Sequence, residues 1–203
     1  MARVDDYQQA RDLAAQELAE QSPDELAGHS GLAIAKNGGF NVTFLDKRYH
    51  ITYPDFIFSD VYQPDIPIPL QEQVLILHYL QGSRPFLKDQ WIAYREIPGA
   101  SFYFGPFVKR AIEPLKKAFG QNVAGFKLAA NRLGGHPIDT GNAAFIFSPL
   151  PFAPVQLVLW EGDDEFPAEA NILFDASIGD YLAPEDAAWL ASLVVYRLIS
   201  LSR

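Results

Sequence analysis

Apolar residues recur along this chain with two different periods, and the changes between them mark out helices and strands. From Arg3 to Glu20, Val4, Tyr7, Ala14 and Leu18 fall near one face, with Arg11 breaking the stripe, which predicts an amphipathic helix. "SPDELAGHSG" then places Ser22 as N-cap, Pro23 in the first helical position and Glu25 at the third. That is a capping box for a short helix ended by Gly28 or Gly31. The period then drops to two. Phe40, Val42 and Phe44 alternate, as do Tyr49, Ile51 and Tyr53, and Asp46-Lys47 between them predicts a hairpin. "PDIPIPLQEQ" reads as a rigid extended connection, because proline fixes φ and removes a donor. "LQEQVLILHYLQGS" is apolar on most sides and predicts a buried helix with Gly82 near its end.

Farther on, "DQWIAYREIPG" reads as a strand stopped by Pro98 and Gly99. "SFYFGPFVKRAIEPLKKAFG" turns helical, with Phe107, Leu115 and Phe119 inward and Pro114 either kinking the helix or opening a new one. "QNVAGFKLAANRLGG" predicts another helix with a Gly-Gly stop. "AAFIF", "VQLVLW" and "NILFD" read as strands of one sheet, and "APEDAAWLASLVVYRLISL" as a buried C-terminal helix packed on it. Pro184 suits its first turn, and Glu185 and Asp186 suit its N-terminal dipole. Strands and helices do not alternate regularly. The expectation is therefore an α+β domain with a largely antiparallel or mixed sheet, not a doubly wound parallel one.

Composition changes this picture in three places. No residue between Thr140 and Trp160 is charged, about the length of a membrane span, but Pro149, Pro151 and Pro154 interrupt it. It therefore reads as two buried strands joined by a proline-rich turn, and no membrane partner is expected. The formal net charge of −9 disfavours nucleic acid and anionic membrane. "VKRAIEPLKK" gathers Lys109, Arg110, Lys116 and Lys117 into a basic patch too small to claim a phosphate backbone. The chain has no cysteine, so it can hold no disulfide, thiolate metal site or cysteine-ligated iron–sulfur cluster. Its N-terminal stretch has no apolar signal region, which makes the cytoplasm the expected location.

The acids concentrate in "WEGDDEFPAE", between two strongly apolar stretches. Carboxylates so close can converge on a hard cation, yet the spacing is not that of an EF-hand, and no histidine stands beside them for zinc or iron. No metal is expected there. Trp160 and Phe166 flank the acids, and their burial, with Leu173 and Phe174 nearby, is expected to hold the loop by its ends and not by its charges. "GHPIDTGN" reads as a helix cap and a turn, although His136 and Asp139 are spaced to pair. Arg95, Tyr103 and Arg110 lie near glycines and aromatics, a combination suited to an anionic or planar ligand, or to pairing with the acidic loop. The chain contains no G-x-G-x-x-G, P-loop, G-x-S-x-G or H-E-x-x-H.

The pattern "LHYL … IAYREIPG … Y … F … KR … PL … FG … LGG", with "PLPFAPVQLVLWEGDDEFPAEANILFD … YLAPEDAAWL", resembles a bacterial and archaeal family known as domain of unknown function 3786. The resemblance runs from about Gly39 to the last helix and is most specific from Trp160 to Asp175. It implies one domain over residues 1–203, with 1–38 an N-terminal helical segment and 39–203 the family-like core. It implies no activity and no particular cofactor. Some relatives carry a cysteine-rich iron–sulfur module of the kind found in corrinoid proteins, and this chain lacks it.

Three functions follow as expectations. The first is binding of a small anionic or planar ligand, or of a partner protein. Its candidate residues are Arg95, Tyr103, Arg110, Trp160, Glu161, Asp163, Asp164 and Glu165. The second is a metal-assisted hydrolase using Asp163, Asp164, Glu165 and Asp175, and the third a structural assembly subunit. Convergence separates them: an enzyme needs its reacting groups in one cleft, a binder needs a concave pocket, and a scaffold needs a broad apolar patch.

Overall fold

The computed structural model describes residues 4–82 and 86–202. The expected helix start at Arg3 and the expected Ser83 end of the third helix lie outside those residues. By its contacts the chain divides into two compact units. One comprises Met1–Phe86, Leu150–Phe152 and Asp180–Leu182; the other comprises Leu87–Pro149, Ala153–Gly179 and Ala183–Arg203. The architecture is α+β, and both sheets are antiparallel throughout.

The first unit opens with α1 (Val4–Leu18), α2 (Pro23–Ser30), β1 (Ala33–Ile34), β2 (Phe40–Phe44), β3 (Lys47–Ile51), β4 (Phe58–Asp60) and α3 (Leu70–Leu80). The capping box forms as the sequence predicts. Ser22 Oγ accepts the Glu25 N–H, the Glu25 carboxylate accepts the Ser22 N–H, and Gly31, not Gly28, ends α2 in the left-handed region. The strands pair in the order β1-β2-β3-β4, with Val42 opposite Tyr49 and Phe44 opposite Lys47. Period-two alternation buries Phe40, Val42 and Phe44 and leaves Asn41 and Thr43 in solvent. The long helices α1 and α3 pack together. The carboxylate of Glu72, on α3, is buried and reaches the hairpin. It accepts from Tyr49 OH at 2.5 Å and from Lys47 Nζ at 3.0 Å.

The second unit holds β5 (Trp91–Ala93), α4 (Phe104–Phe107), a π-helical turn (Val108–Ile112), α5 (Glu113–Phe119), α6 (Val123–Arg132), β6 (His136–Ile138), β7 (Ala143–Phe147), β8 (Val155–Trp160), β9 (Glu169–Asp175) and α7 (Pro184–Leu201). The strand order is β5-β9-β8-β7-β6, so the three expected strands are neighbours in one sheet. The uncharged Thr140–Trp160 stretch is β7, a proline-rich turn and β8. Among the described residues no helix is long and apolar enough to cross a membrane. The main backbone contacts of α7 run to α4, the π turn, α5 and α6.

Three local readings change. The strand expected over "DQWIAYREIPG" stops at Ala93, because the Glu96 carboxylate accepts the Ala93 N–H at 2.6 Å and folds Tyr94–Glu96 into a 3-10 turn. The turn expected in "GHPIDTGN" contains β6, an edge strand, where Pro137 is tolerated because its missing N–H can face outward. Pro114 opens α5 at its first turn, and the chain widens into the π turn just before it, where an unbroken α ladder would need the N–H that proline lacks.

Candidate functional site

The acidic loop joins β8 to β9, and backbone tethers hold it. Gly162 is buried: its N–H donates to Gly120 O at 3.1 Å and its carbonyl accepts from Gln121 Nε2 at 3.1 Å. A Cβ there would come within 2.6 Å of Ala168 N and of Gln121 Nε2, so only glycine lets the strands close around it. The Glu161 N–H donates to Asn142 Oδ1 at 2.9 Å. Asp163 Oδ1 accepts from the N–H groups of Glu165 (2.9 Å) and Phe166 (2.7 Å), an Asx turn. Those two backbone donors hold the Asp163 carboxyl below the ordinary carboxylate range. Glu161, Asp164 and Glu165 are exposed.

The flanking aromatics do not do what the sequence suggests. Trp160 is 39% exposed and Phe166 68%. Phe174 is buried, but it lies opposite Val155, at the other end of β8 from Trp160. It packs against Tyr94 and Phe107. The loop is therefore fastened by the buried backbone of Gly162 and by one acid, Asp163, turned onto its own chain. Replacing Asp163 with alanine is expected to speed amide hydrogen exchange at Glu165 and Phe166, whereas Asp164→Ala leaves it unchanged. The Asp163 pKa is depressed on folding, so its contribution is present above the unfolded carboxyl pKa. It fades as pH falls through the lower folded value. Equal exchange in the two variants would remove the Asx turn as the fastening.

Arg95 stacks on the Phe104 ring, 3.7 Å from its centroid. Arg110 Nη1 donates to Tyr103 OH at 2.7 Å, and that hydroxyl donates to Glu185 Oε1 at 2.9 Å. The guanidinium also sits 5.3 Å from the Trp189 ring centroid. Burial pushes the Tyr103 phenol up, and the Glu185 carboxylate adds to the rise. Tyr103 and Arg110 are thus brought together by Glu185 and Trp189 of α7. Glu185 and Trp189 stand four residues apart on one helical face. That spacing, visible in the sequence, is a signal for a shared partner such as Arg110.

Asp175 is also set apart. It is buried, and it accepts from the N–H groups of Lys88 and Ser177 at 2.9 Å and from Ser177 Oγ at 2.6 Å. Burial pushes its carboxyl up, but these bonds outweigh that and hold it below the ordinary range. Six residue steps of β9, about 20 Å, separate it from the loop end of the strand. Among the described residues no group of three or more histidines and acids is placed to hold a metal ion.

Two concave features lie elsewhere in this unit. One is a groove of about 580 Å³ along the π turn, α5 and α7, lined among others by Lys109, Pro114, Lys117, Tyr196 and Ile199. Glu113, the one acid in its lining, pairs with Lys116 at 2.9 Å. Among the described residues neither Lys109 nor Lys117 is drawn into an ion pair. The other is a cleft of about 380 Å³ between α6 and the β6–β7 hairpin.

Compared with known protein families, residues 22–197 match the one described as Domain of unknown function (DUF3786). No curated protein matches the chain. No solved structure matches it.

Proposed function

The chain belongs to the DUF3786 family, whose description names no chemistry, and from the site geometry we propose that it binds a small anionic ligand with a planar body in the groove along α5 and α7. One observation carries the reading. On a chain of net charge −9, two lysines without an ion-pair partner among the described residues face an apolar groove that holds a half-exposed tyrosine. Lys109 and Lys117 offer six N–H donors to an anion, and Tyr196 and Pro114 offer flat apolar surface to a ring. The volume lies within the range of small-molecule sites. The π turn beside the groove adds support, since such turns recur at functional sites. Lys109 belongs to the basic stretch visible in the sequence, and Tyr196 comes from the last helix.

The hydrolase alternative finds less support. Asp163 already accepts two backbone N–H groups, and Asp175 lies at the far end of β9.

Isothermal titration with adenosine monophosphate, adenosine and inorganic phosphate tests the proposal. The nucleotide is expected to bind at least about tenfold more tightly than either fragment, because only it uses both the lysines and the ring surface. The double variant Lys109→Gln with Lys117→Gln is expected to lose about tenfold or more, the scale of a charge-assisted hydrogen bond. A flat nucleotide titration of the unaltered protein, or an unchanged affinity in the double variant, would sink the reading.

A further inference from the structure

The geometry points to a second ligand site, independent of the groove: the cleft between α6 and the β6–β7 hairpin is suited to a small zwitterion with an apolar body, an α-amino acid by its chemistry. Its floor is β7. Ala143, Ala144 and Phe145 are all buried; Ala143 and Phe145 share one face of the strand, with Ala144 on the other, and the small Ala143 side chain takes up little space. One wall is α6, which presents Lys127 and Asn131. These are four residues apart and therefore neighbours on one helical face. The other wall is β6 and the hairpin turn, which carries Asp139 and Thr140.

That turn is held firmly. Asn142 N–H donates to Leu159 O at 2.9 Å, and Asn142 Oδ1 accepts the Glu161 N–H at 2.9 Å. Gly141 has φ +61°, and a Cβ on it would come within 2.7 Å of Leu159 O. The hairpin turn is thus fastened to β8 and to the start of the acidic loop, which fixes the position from which Asp139 projects. A site whose polar groups are placed in advance loses less on ordering them when ligand binds.

The charges select the ligand class. Among the described residues neither Lys127 nor Asp139 is engaged in an ion pair. Lys127 draws a carboxylate. Asp139 draws an ammonium group and opposes a bare anion. A bare cation meets Lys127. A zwitterion satisfies both walls, and its apolar body covers the alanine and phenylalanine floor. The amide groups of Asn131 and Asn142 and the Thr140 hydroxyl supply further donors and acceptors.

The test is calorimetric titration of the full chain with L-leucine, 4-methylpentanoate and 3-methylbutylamine, which share the apolar body and differ in charge. L-leucine is expected to bind, and each singly charged analogue to bind at least about tenfold more weakly. Lys127→Gln should weaken L-leucine binding and should not weaken the amine, which is freed of a like charge. Asp139→Asn should weaken L-leucine binding and should not weaken the carboxylate, which is freed of a like charge. Both substitutions are on exposed side chains, and circular dichroism and thermal melts confirm that each variant is folded. A flat L-leucine titration overturns the proposal. So does either analogue binding as tightly as L-leucine, or L-leucine affinity unchanged in both variants.

Discussion

Replacing Tyr94 with alanine is expected to destabilise the protein by about 3–5 kcal/mol, the range for a large buried aromatic. Tyr94 is 1% exposed and lies nearly parallel to the Phe107 ring, with centroids 4.1 Å apart. Phe174 of β9 closes the cluster 6.1 Å away. The same ring carries a polar anchor, because its hydroxyl donates to Pro184 O at 2.8 Å, at the start of α7. One side chain therefore joins β9, α4 and α7. Tyr94→Phe removes only the hydrogen bond and is expected to cost about 1 kcal/mol. Trp160→Ala should cost less than Tyr94→Ala, since the Trp160 ring already lies partly in solvent. Chemical denaturation of the three variants decides the matter. A Trp160→Ala cost equal to that of Tyr94→Ala would mean the core does not centre on Tyr94.

Glu72→Ala should cost about 3 kcal/mol, and most of that comes from what it leaves behind. Tyr49 is 1% exposed, so its hydroxyl cannot turn to water once the carboxylate is gone. An unsatisfied buried donor costs about 1–3 kcal/mol. Lys47 is partly exposed, and its share of the ion pair is worth about 0–1 kcal/mol. Tyr49→Phe removes the stranded donor, so the double variant should be less destabilised than the two single changes predict, by about 1 kcal/mol or more. Additive costs in that cycle would show the three groups to be independent.

Alkaline pH reads the same network. Burial pushes the Tyr49 phenol up, and the Glu72 carboxylate adds to it. A folded pKa above the unfolded value means that this contribution is full below the unfolded phenol pKa of about 10 and is lost as pH rises beyond it. Tyr49→Phe should therefore blunt the loss of stability in that range.

How much was legible in the sequence depends on the range of the forces involved. The capping box of Ser22 and Glu25, the hairpin from Phe40 to Ile51 and the first-turn place of Pro184 were all readable, because each is decided within about four residues. So was the sheet of β7, β8 and β9, because alternating or unbroken apolar runs leave a strand little choice of face. The absence of cysteine fixed what the chain cannot ligate whatever its fold.

Burial of a particular ring was different. Trp160 and Phe174 both sit in apolar strands, and no local rule says which faces the core. The register of β8 on β9 and the packing of the helices decided for Phe174. Arg110 found its carboxylate partner, through Tyr103, 75 positions away in α7 and not in the acidic loop. The groove with Tyr196 and the cleft between Lys127 and Asp139 exist only because distant elements meet. Period and capping are properties of a few neighbouring residues, and the sequence by itself determined them. Which side chains converge depends on how whole elements pack, and only the tertiary structure decided that.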